Sequence, residues 1–287
     1  GIGAGAPGVA RLLGLPALTY GESDLQRNVN ELGLLMGSAM LAGWLKGGLS
    51  AKAVWVMDPM PSDWVRAQGV HLNEGLPPDP AIIVVAVKPQ MMGEALPSIR
   101  ALGDGASVFL SIAAGTTIAQ FEAALGPATP IIRAMPNTPA AVGQGITALI
   151  ANGHVKDDRL ALAETLLSAV GKTVRLEDEG QMDAVTALSG SGPAYVFHLI
   201  ECMAAAGEAE GLAPDLAMSL ALTTVAGAGA LAEASDEGPG QLRVNVTSPN
   251  GTTQAGLEVL MDEARGLPPL VRGTIAAAAA RSRELGK

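Results

Sequence analysis

Ala81-Ile82-Ile83-Val84-Val85-Ala86-Val87 is apolar at every position. A strand with one face in water alternates apolar and polar residues, whereas an unbroken apolar run is buried on both faces, as in a parallel sheet covered by helices. Ala53-Val54-Trp55-Val56-Met57-Asp58 precedes this run, and Ser107-Val108-Phe109-Leu110-Ser111-Ile112 and Pro130-Ile131-Ile132-Arg133-Ala134-Met135 follow it. Ile146 to Ala151 and Thr173 to Leu176 are weaker strands of the same kind. Helical stretches lie between them, and strands punctuated by helices at this spacing make repeated βαβ units. Residues 32–178 therefore predict an α/β domain built on a doubly wound, mostly parallel sheet.

After about Glu179 the strand signal stops. Ala194 to Glu210, Asp215 to Glu233, Thr252 to Arg265 and Pro269 to Leu285 read as helices, with breaks at Gly211 to Pro214 and at Gly238-Pro239-Gly240. Ala, Leu and Gly dominate, and few charges mark any face; a helix apolar all round must be covered on all sides. An all-α domain over residues 179–287 is too small to do this alone, so its helices predict a subunit interface. Leu216 to Ala232 is uncharged for 17 residues. This falls short of the roughly 20 apolar residues that span a bilayer, and the stretch reads as a buried helix rather than a membrane anchor.

At 287 residues, two domains are expected. Eighteen Lys and Arg against 28 Asp and Glu leave a net charge of −10, which repels a phosphate backbone and argues against nucleic-acid binding. Cys202 is the sole cysteine, so no intrachain disulfide or CxxC site exists, and His71, His154 and His198 form no HExxH zinc motif. A cytoplasmic protein acting on a small molecule, without a metal, is expected. Residues 1–31 fit neither domain. Gly1-Ile2-Gly3-Ala4-Gly5-Ala6-Pro7-Gly8 imitates a glycine fingerprint but has no strand before it, and reads as a tail without the basic segment of a signal peptide.

A dinucleotide fold needs a strand, then G-x-G-x-x-G, then a helix on whose N-terminus the pyrophosphate rests. The helix Gly37 to Lys46 supplies the third glycine, but Leu32 and Leu34 occupy the first two positions, with Gly33 between them. A Leu side chain takes space that the phosphates need. Asp58 ends the next strand, about 20 residues on, where a carboxylate binds the adenine ribose; with Pro59 behind it, a turn is the other reading. Ala86-Val87-Lys88-Pro89 and Ile112-Ala113-Ala114-Gly115 lie beyond carboxyl ends of strands, where ligands of open α/β sheets sit. Lys88 is equally readable as a solvated lysine.

Two later segments are more specific: Asp183-Ala184-Val185-Thr186-Ala187-Leu188-Ser189-Gly190-Ser191-Gly192-Pro193-Ala194-Tyr195 and Val246-Thr247-Ser248-Pro249-Asn250-Gly251-Thr252-Thr253-Gln254-Ala255-Gly256-Leu257. With Ala86-Val87-Lys88-Pro89-Gln90 and Arg133-Ala134-Met135-Pro136-Asn137-Thr138-Pro139, the chain from about Met36 onward resembles the pyrroline-5-carboxylate reductase family. The resemblance implies a Rossmann-like domain followed by a helical substrate-binding and dimerisation domain. It also implies NAD(P)H-dependent reduction of 1-pyrroline-5-carboxylate to L-proline, and a homodimer or ring of dimers.

By the same resemblance Met36, Gly37 and Ser38 form the remaining cofactor loop. Met57, Asp58 and Pro59 approach the adenine ribose, joined by Asn73. Ala86, Val87, Lys88, Pro89, Ile112, Ala113 and Ala114 face the nicotinamide side. Substrate falls to Glu179, Asp236, Asn245, Ser248, Gly251, Thr252 and Thr253, with the Thr253 hydroxyl on the ring nitrogen as the catalytic contact. The chemistry fits: Ser248-Pro249-Asn250-Gly251 leads into a helix whose free N–H groups and dipole would bind a carboxylate. An ordinary Ser/Thr helix cap is the competing reading of that turn, and a surface carboxylate is that of Glu179 and of Asp236. Two other functions stay open: a reductase of other imines or β-hydroxy acids, and a helical scaffold that has lost its cofactor through the altered fingerprint.

Overall fold

The computed structural model describes residues 36–77, 79–87 and 91–286. Leu32, Leu34, the tail before them, and Lys88, Pro89 and Gln90 lie outside the described residues. The described chain divides into two units. One runs up to Gly190 and takes in Ala279 onward; the other is Ser191–Ala278.

In the first unit, α1 (Met36–Lys46) leads to β1 (Trp55–Val56), α2 (Asp63–Ala67), β2 (His71–Leu72) and β3 (Ile82–Val85). Then come α3 (Met92–Ile99), β4 (Val108–Ser111), α4 (Ile118–Leu125), β5 (Ile131–Met135), β6 (Gly145–Ala151), α5 (Asp157–Ser168), β7 (Gly171–Arg175) and α6 (Met182–Val185). Five strands form one sheet in the order β3-β4-β5-β6-β7, parallel except for the antiparallel pair β5–β6. This is the mostly parallel α/β sheet that the apolar runs predict.

Its core shows why those runs lack alternation. Successive residues of β4 point to opposite faces, and both faces are covered. Val108 and Leu110 pack with Met40 of α1 and Ala163 and Leu167 of α5. Phe109 packs on the other side with Met92 and Leu96 of α3 and Phe121 and Leu125 of α4. Trp44 fastens the first layer, its indole N–H donating to the Leu166 carbonyl at 2.8 Å. Gly171 opens β7 with φ 148°, where a Cβ would lie 1.9 Å from the Gly145 carbonyl oxygen, so no larger residue fits where β6 and β7 begin.

Three strand expectations change. Ala53 to Asp58 contracts to the two residues of β1, because Ala51–Ala53 closes a 3-10 turn. β1 pairs in parallel with β2, which the sequence does not announce, in a separate two-stranded sheet. Ala81 to Val87 contracts to β3, in which only Val85 is buried; as the end strand of the described sheet it has one neighbour, β4.

The second unit is helical: α7 (Gly192–Ala209), α8 (Pro214–Ala234), α9 (Pro239–Asn245), α10 (Thr252–Leu260) and most of α11 (Leu267–Leu285), whose last turns belong to the first unit. α7 and α8 pack through small residues, with Ala204, Ala217 and Ala221 buried. Two expectations are corrected. Gly238-Pro239-Gly240 is a helix start rather than a break, since proline is suited to the first helical turn. The helix from Thr252 ends at Leu260, not Arg265, because Asp262 Oδ1 accepts the N–H groups of Ala264 and Arg265 and turns the chain.

α8 spans 21 residues, long and apolar enough to cross a membrane by length and composition. The helix thus extends beyond the uncharged 17-residue stretch to take in Asp215 and Glu233. Leu216, Leu220 and Leu222 are each at least half exposed in the single chain.

Candidate functional site

At the first unit, the carboxyl ends of β3 and β4 carry Ala86, Val87, Ile112, Ala113 and Ala114. The N–H of Ile112 donates to the Val85 carbonyl at 3.1 Å, and that of Ala113 to Ser111 Oγ at 3.3 Å, so the two strand ends stay in register. Met36, Gly37 and Ser38 form the first turn of α1. A Cβ at Gly37 would sit 3.4 Å from the Ala86 side chain. The third glycine of a dinucleotide fingerprint has this role, close helix–strand packing. The structure thus gathers the described nicotinamide-side candidates and the helix start at one edge of the sheet.

Met57, Asp58 and Pro59 leave the end of β1 beside Asn73, which follows β2 with φ 54°. Asn73 Nδ2 donates to the Asp58 carbonyl at 2.8 Å, and Asn73 Oδ1 accepts from the Asp58 N–H at 3.0 Å. The amide expected at the ribose is engaged in shaping the Asp58 loop. Asp58 Oδ1 accepts from the Met60 N–H at 2.8 Å. Trp55 and His71 stack beneath this loop with ring centroids 4.3 Å apart.

In the second unit, Asp236, Asn245, Ser248, Gly251, Thr252 and Thr253 lie on or between α8, α9 and α10. Asn245 is held from both sides, its Nδ2 donating to Glu237 Oε2 at 2.7 Å and its Oδ1 accepting from Gln241 Nε2 at 2.8 Å. The sequence reading chose Asp236; the carboxylate on Asn245 is that of its neighbour Glu237. The i, i+4 spacing of Gln241 and Asn245 on a helix was the available signal.

The turn before α10 settles one sequence alternative. Its N-cap is Gly251, which offers no side-chain cap, so this is not a Ser/Thr-capped helix. The Gly251 N–H closes the turn onto the Ser248 carbonyl at 3.0 Å, and Asn250, with φ 62°, has its N–H tied to Gln254 Oε1 at 2.8 Å. The first N–H groups of the helix, from Thr252 and Thr253, have no partner inside an α-helix. They and the exposed side chains of Thr252 and Thr253 form an anion-attracting start.

Glu179 is fixed by an ion pair. It belongs to the first unit, where its Oε1 accepts from Arg133 Nη1 at 2.7 Å and from the Ile118 N–H at 2.9 Å. Arg133 is 5% exposed, so this carboxylate neutralises a buried cation and caps α4. The Asp183 to Tyr195 segment opens with α6, continues as a π-helical turn over Thr186–Gly190, and leads into α7. Asn137 Nδ2 donates to Ser189 Oγ at 3.3 Å, joining the Met135-Pro136-Asn137 motif to that turn. Neither residue had been given a role.

Residues 179–285 match the family model described as pyrroline-5-carboxylate reductase dimerisation. The pyrroline-5-carboxylate reductase of Pseudomonas aeruginosa is 39% identical over 258 residues, covering 88% of this chain and 94% of that protein. The solved structure of the Coxiella burnetii pyrroline-5-carboxylate reductase superposes with a TM-score of 0.80 at 33% identity, over 88% of this chain and 95% of its own. That of the Plasmodium falciparum enzyme with NADP bound does so with a TM-score of 0.77 at 30% identity, over 89% and 96%. Likeness of this extent has one explanation: the chain belongs to the pyrroline-5-carboxylate reductase family.

Proposed function

We propose that the chain reduces 1-pyrroline-5-carboxylate to L-proline with NADPH or NADH, as an oxidoreductase of the last step of proline biosynthesis. The observation that carries this is the start of α10, where glycine replaces a capping side chain and leaves amides for an anion. The substrate is a cyclic imine bearing a carboxylate. The N–H groups of Thr252 and Thr253, aided by the helix dipole, hold that carboxylate and so orient the ring. Ser248 and Gly251 line the approach, and Asn245, braced by Glu237 and Gln241, borders it together with Asp236. The Thr253 hydroxyl bonds the ring nitrogen and serves the proton that nitrogen gains.

The cofactor fits the residues present. Gly37 lets α1 approach Ala86 closely, and Ala86, Val87, Ile112, Ala113 and Ala114 offer a strand edge of small and apolar side chains. Lys88 and Pro89, outside the described residues, follow Val87 in the sequence. Met36, Gly37 and Ser38 would hold the phosphates, and Met57 to Pro59 the adenine ribose. When bound, the reduced nicotinamide supplies a hydride to the imine carbon.

Residues 32–178 are the nucleotide-binding domain and residues 179–287 the substrate-binding and dimerisation domain. The exposed leucines of α8 are covered by a second copy, in a cytoplasmic dimer or ring of dimers. Mixing the protein with the imine and either nicotinamide cofactor should consume absorbance at the nicotinamide band. No turnover with NADH or NADPH would overturn the proposal and leave a helical scaffold.

A further inference from the structure

We infer that Asp58 makes this enzyme select NADH over NADPH; the inference rests on the cofactor reading above. The two cofactors differ only at the 2′ position of the adenine ribose, a hydroxyl in one and a phosphate in the other. A carboxylate at the end of the second strand of a dinucleotide unit accepts the hydroxyl's hydrogen bond and repels the phosphate.

Three features hold Asp58 to this task. Its backbone is clamped at both ends by one side chain, with Asn73 accepting from its N–H at 3.0 Å and donating to its C=O at 2.8 Å. The clamp comes from the end of β2, so it ties the loop to the neighbouring strand. Asp58 Oδ1 is in turn held by the Met60 N–H at 2.8 Å. A carboxylate fixed in this way cannot rotate aside for a phosphate without losing a hydrogen bond. Its second oxygen, Oδ2, has no bonding partner among the described residues and is the atom offered to a ribose hydroxyl.

Among the described residues, the Asp58 loop itself supplies no counter-charge. Recognition of a 2′-phosphate needs a nearby guanidinium or ammonium group. Residues 57–62 contain no Lys or Arg, and over residues 47–80 Lys52 and Arg66 stand against Asp58, Asp63, Glu74 and Asp79. The His71 ring is stacked on Trp55, and its Nδ1 bonds Glu74 Oε2 at 2.8 Å, so it is engaged rather than aimed at a ligand.

Titration of the full-length oligomer with NADH and with NADPH, followed by nucleotide fluorescence without substrate, tests the inference. NADH should bind tighter by about tenfold or more, a difference of one charged contact. Asp58→Asn keeps an oxygen for the Met60 N–H while removing the charge, and should tighten NADPH binding about tenfold with little change in thermal midpoint. Asp58→Ser should act in the same direction. Equal or tighter binding of NADPH by the unaltered protein, or an unchanged ratio in both variants, would overturn the inference and leave the reductase intact. Binding of neither nucleotide would overturn the cofactor reading itself, and this inference with it.

Discussion

Asn137 and Ser189, 52 residues apart, meet through a 3.3 Å hydrogen bond that joins two of the segments carrying the family likeness. The same amide accepts the Ile146 N–H at 2.9 Å, so one side chain ties the start of β6 to the π-helical turn before α7. Such turns cluster at functional sites because they displace a stretch of helix. Removing the amide in Asn137→Ala should cost about 0.5–1.5 kcal/mol, the net worth of the hydrogen bond to the exposed Ile146 N–H. Turnover should fall further than this alone explains, as the Ser189 turn loses its anchor. Urea unfolding read beside the steady-state rate checks both effects.

Thr253→Ala removes the proposed contact to the ring nitrogen and leaves the backbone amides in place. Turnover should fall by about 10- to 100-fold, the range of a lost transition-state donor or proton-transfer group. Nucleotide affinity, measured separately, should stay within a factor of about two. An unchanged rate would remove Thr253 from the mechanism.

Gly37→Val should weaken nucleotide binding by at least about tenfold. The first added carbon already comes to 3.4 Å from Ala86, and the further methyl groups must push α1 away from β3. Titration with nucleotide gives the readout, and circular dichroism should show helix content preserved.

Glu179 separates a structural from a substrate role. Glu179→Ala strands the buried Arg133 charge and the Ile118 N–H, and should cost about 3 kcal/mol of stability. Glu179→Gln keeps an acceptor for both but not the counter-charge, and should cost less than the Ala variant, about 2 kcal/mol. Because the carboxylate faces Arg133, the KM for the imine should not move in the Gln variant. A raised KM would assign Glu179 a substrate contact as well.

The oligomer should be at least a dimer by light scattering. Leu222, 53% exposed on α8 in the single chain, is a suitable probe. Leu222→Asp buries an unpaired charge if a second copy covers this face, and should shift the mass to the monomer. A mass unaltered by that substitution would place the contact on another face.

The sheet was legible where physical chemistry is local. Val108-Phe109-Leu110 of β4 is apolar without alternation because helices cover both sides, and a pattern of that kind survives in sequence. β2 was not legible: His71 and Leu72 pair only with β1 and carry no periodicity. α9 was missed because Gly-Pro-Gly marks a turn and a helix start equally well, and only the chain beyond it decides. At the site, the sequence located the α10 turn but could not tell an anion seat from a capped helix. That difference lies in which residue becomes the cap, Gly251 rather than Ser248. The Asn73 clamp on Asp58 was hidden for a similar reason, since it depends on a left-handed backbone at a residue 15 positions away.

Gly251 sets durability against chemistry. A capping side chain tethers the first amides of a helix, and with glycine at the cap α10 forgoes that tether at a cost of about a few tenths of a kcal/mol. A small acid seated on these amides should therefore tighten the opening turn. Proline carries the same carboxylate as the imine, so the product should raise the melting temperature even without nucleotide, and acetate or sulfate in the buffer should compete with the substrate for the same amides.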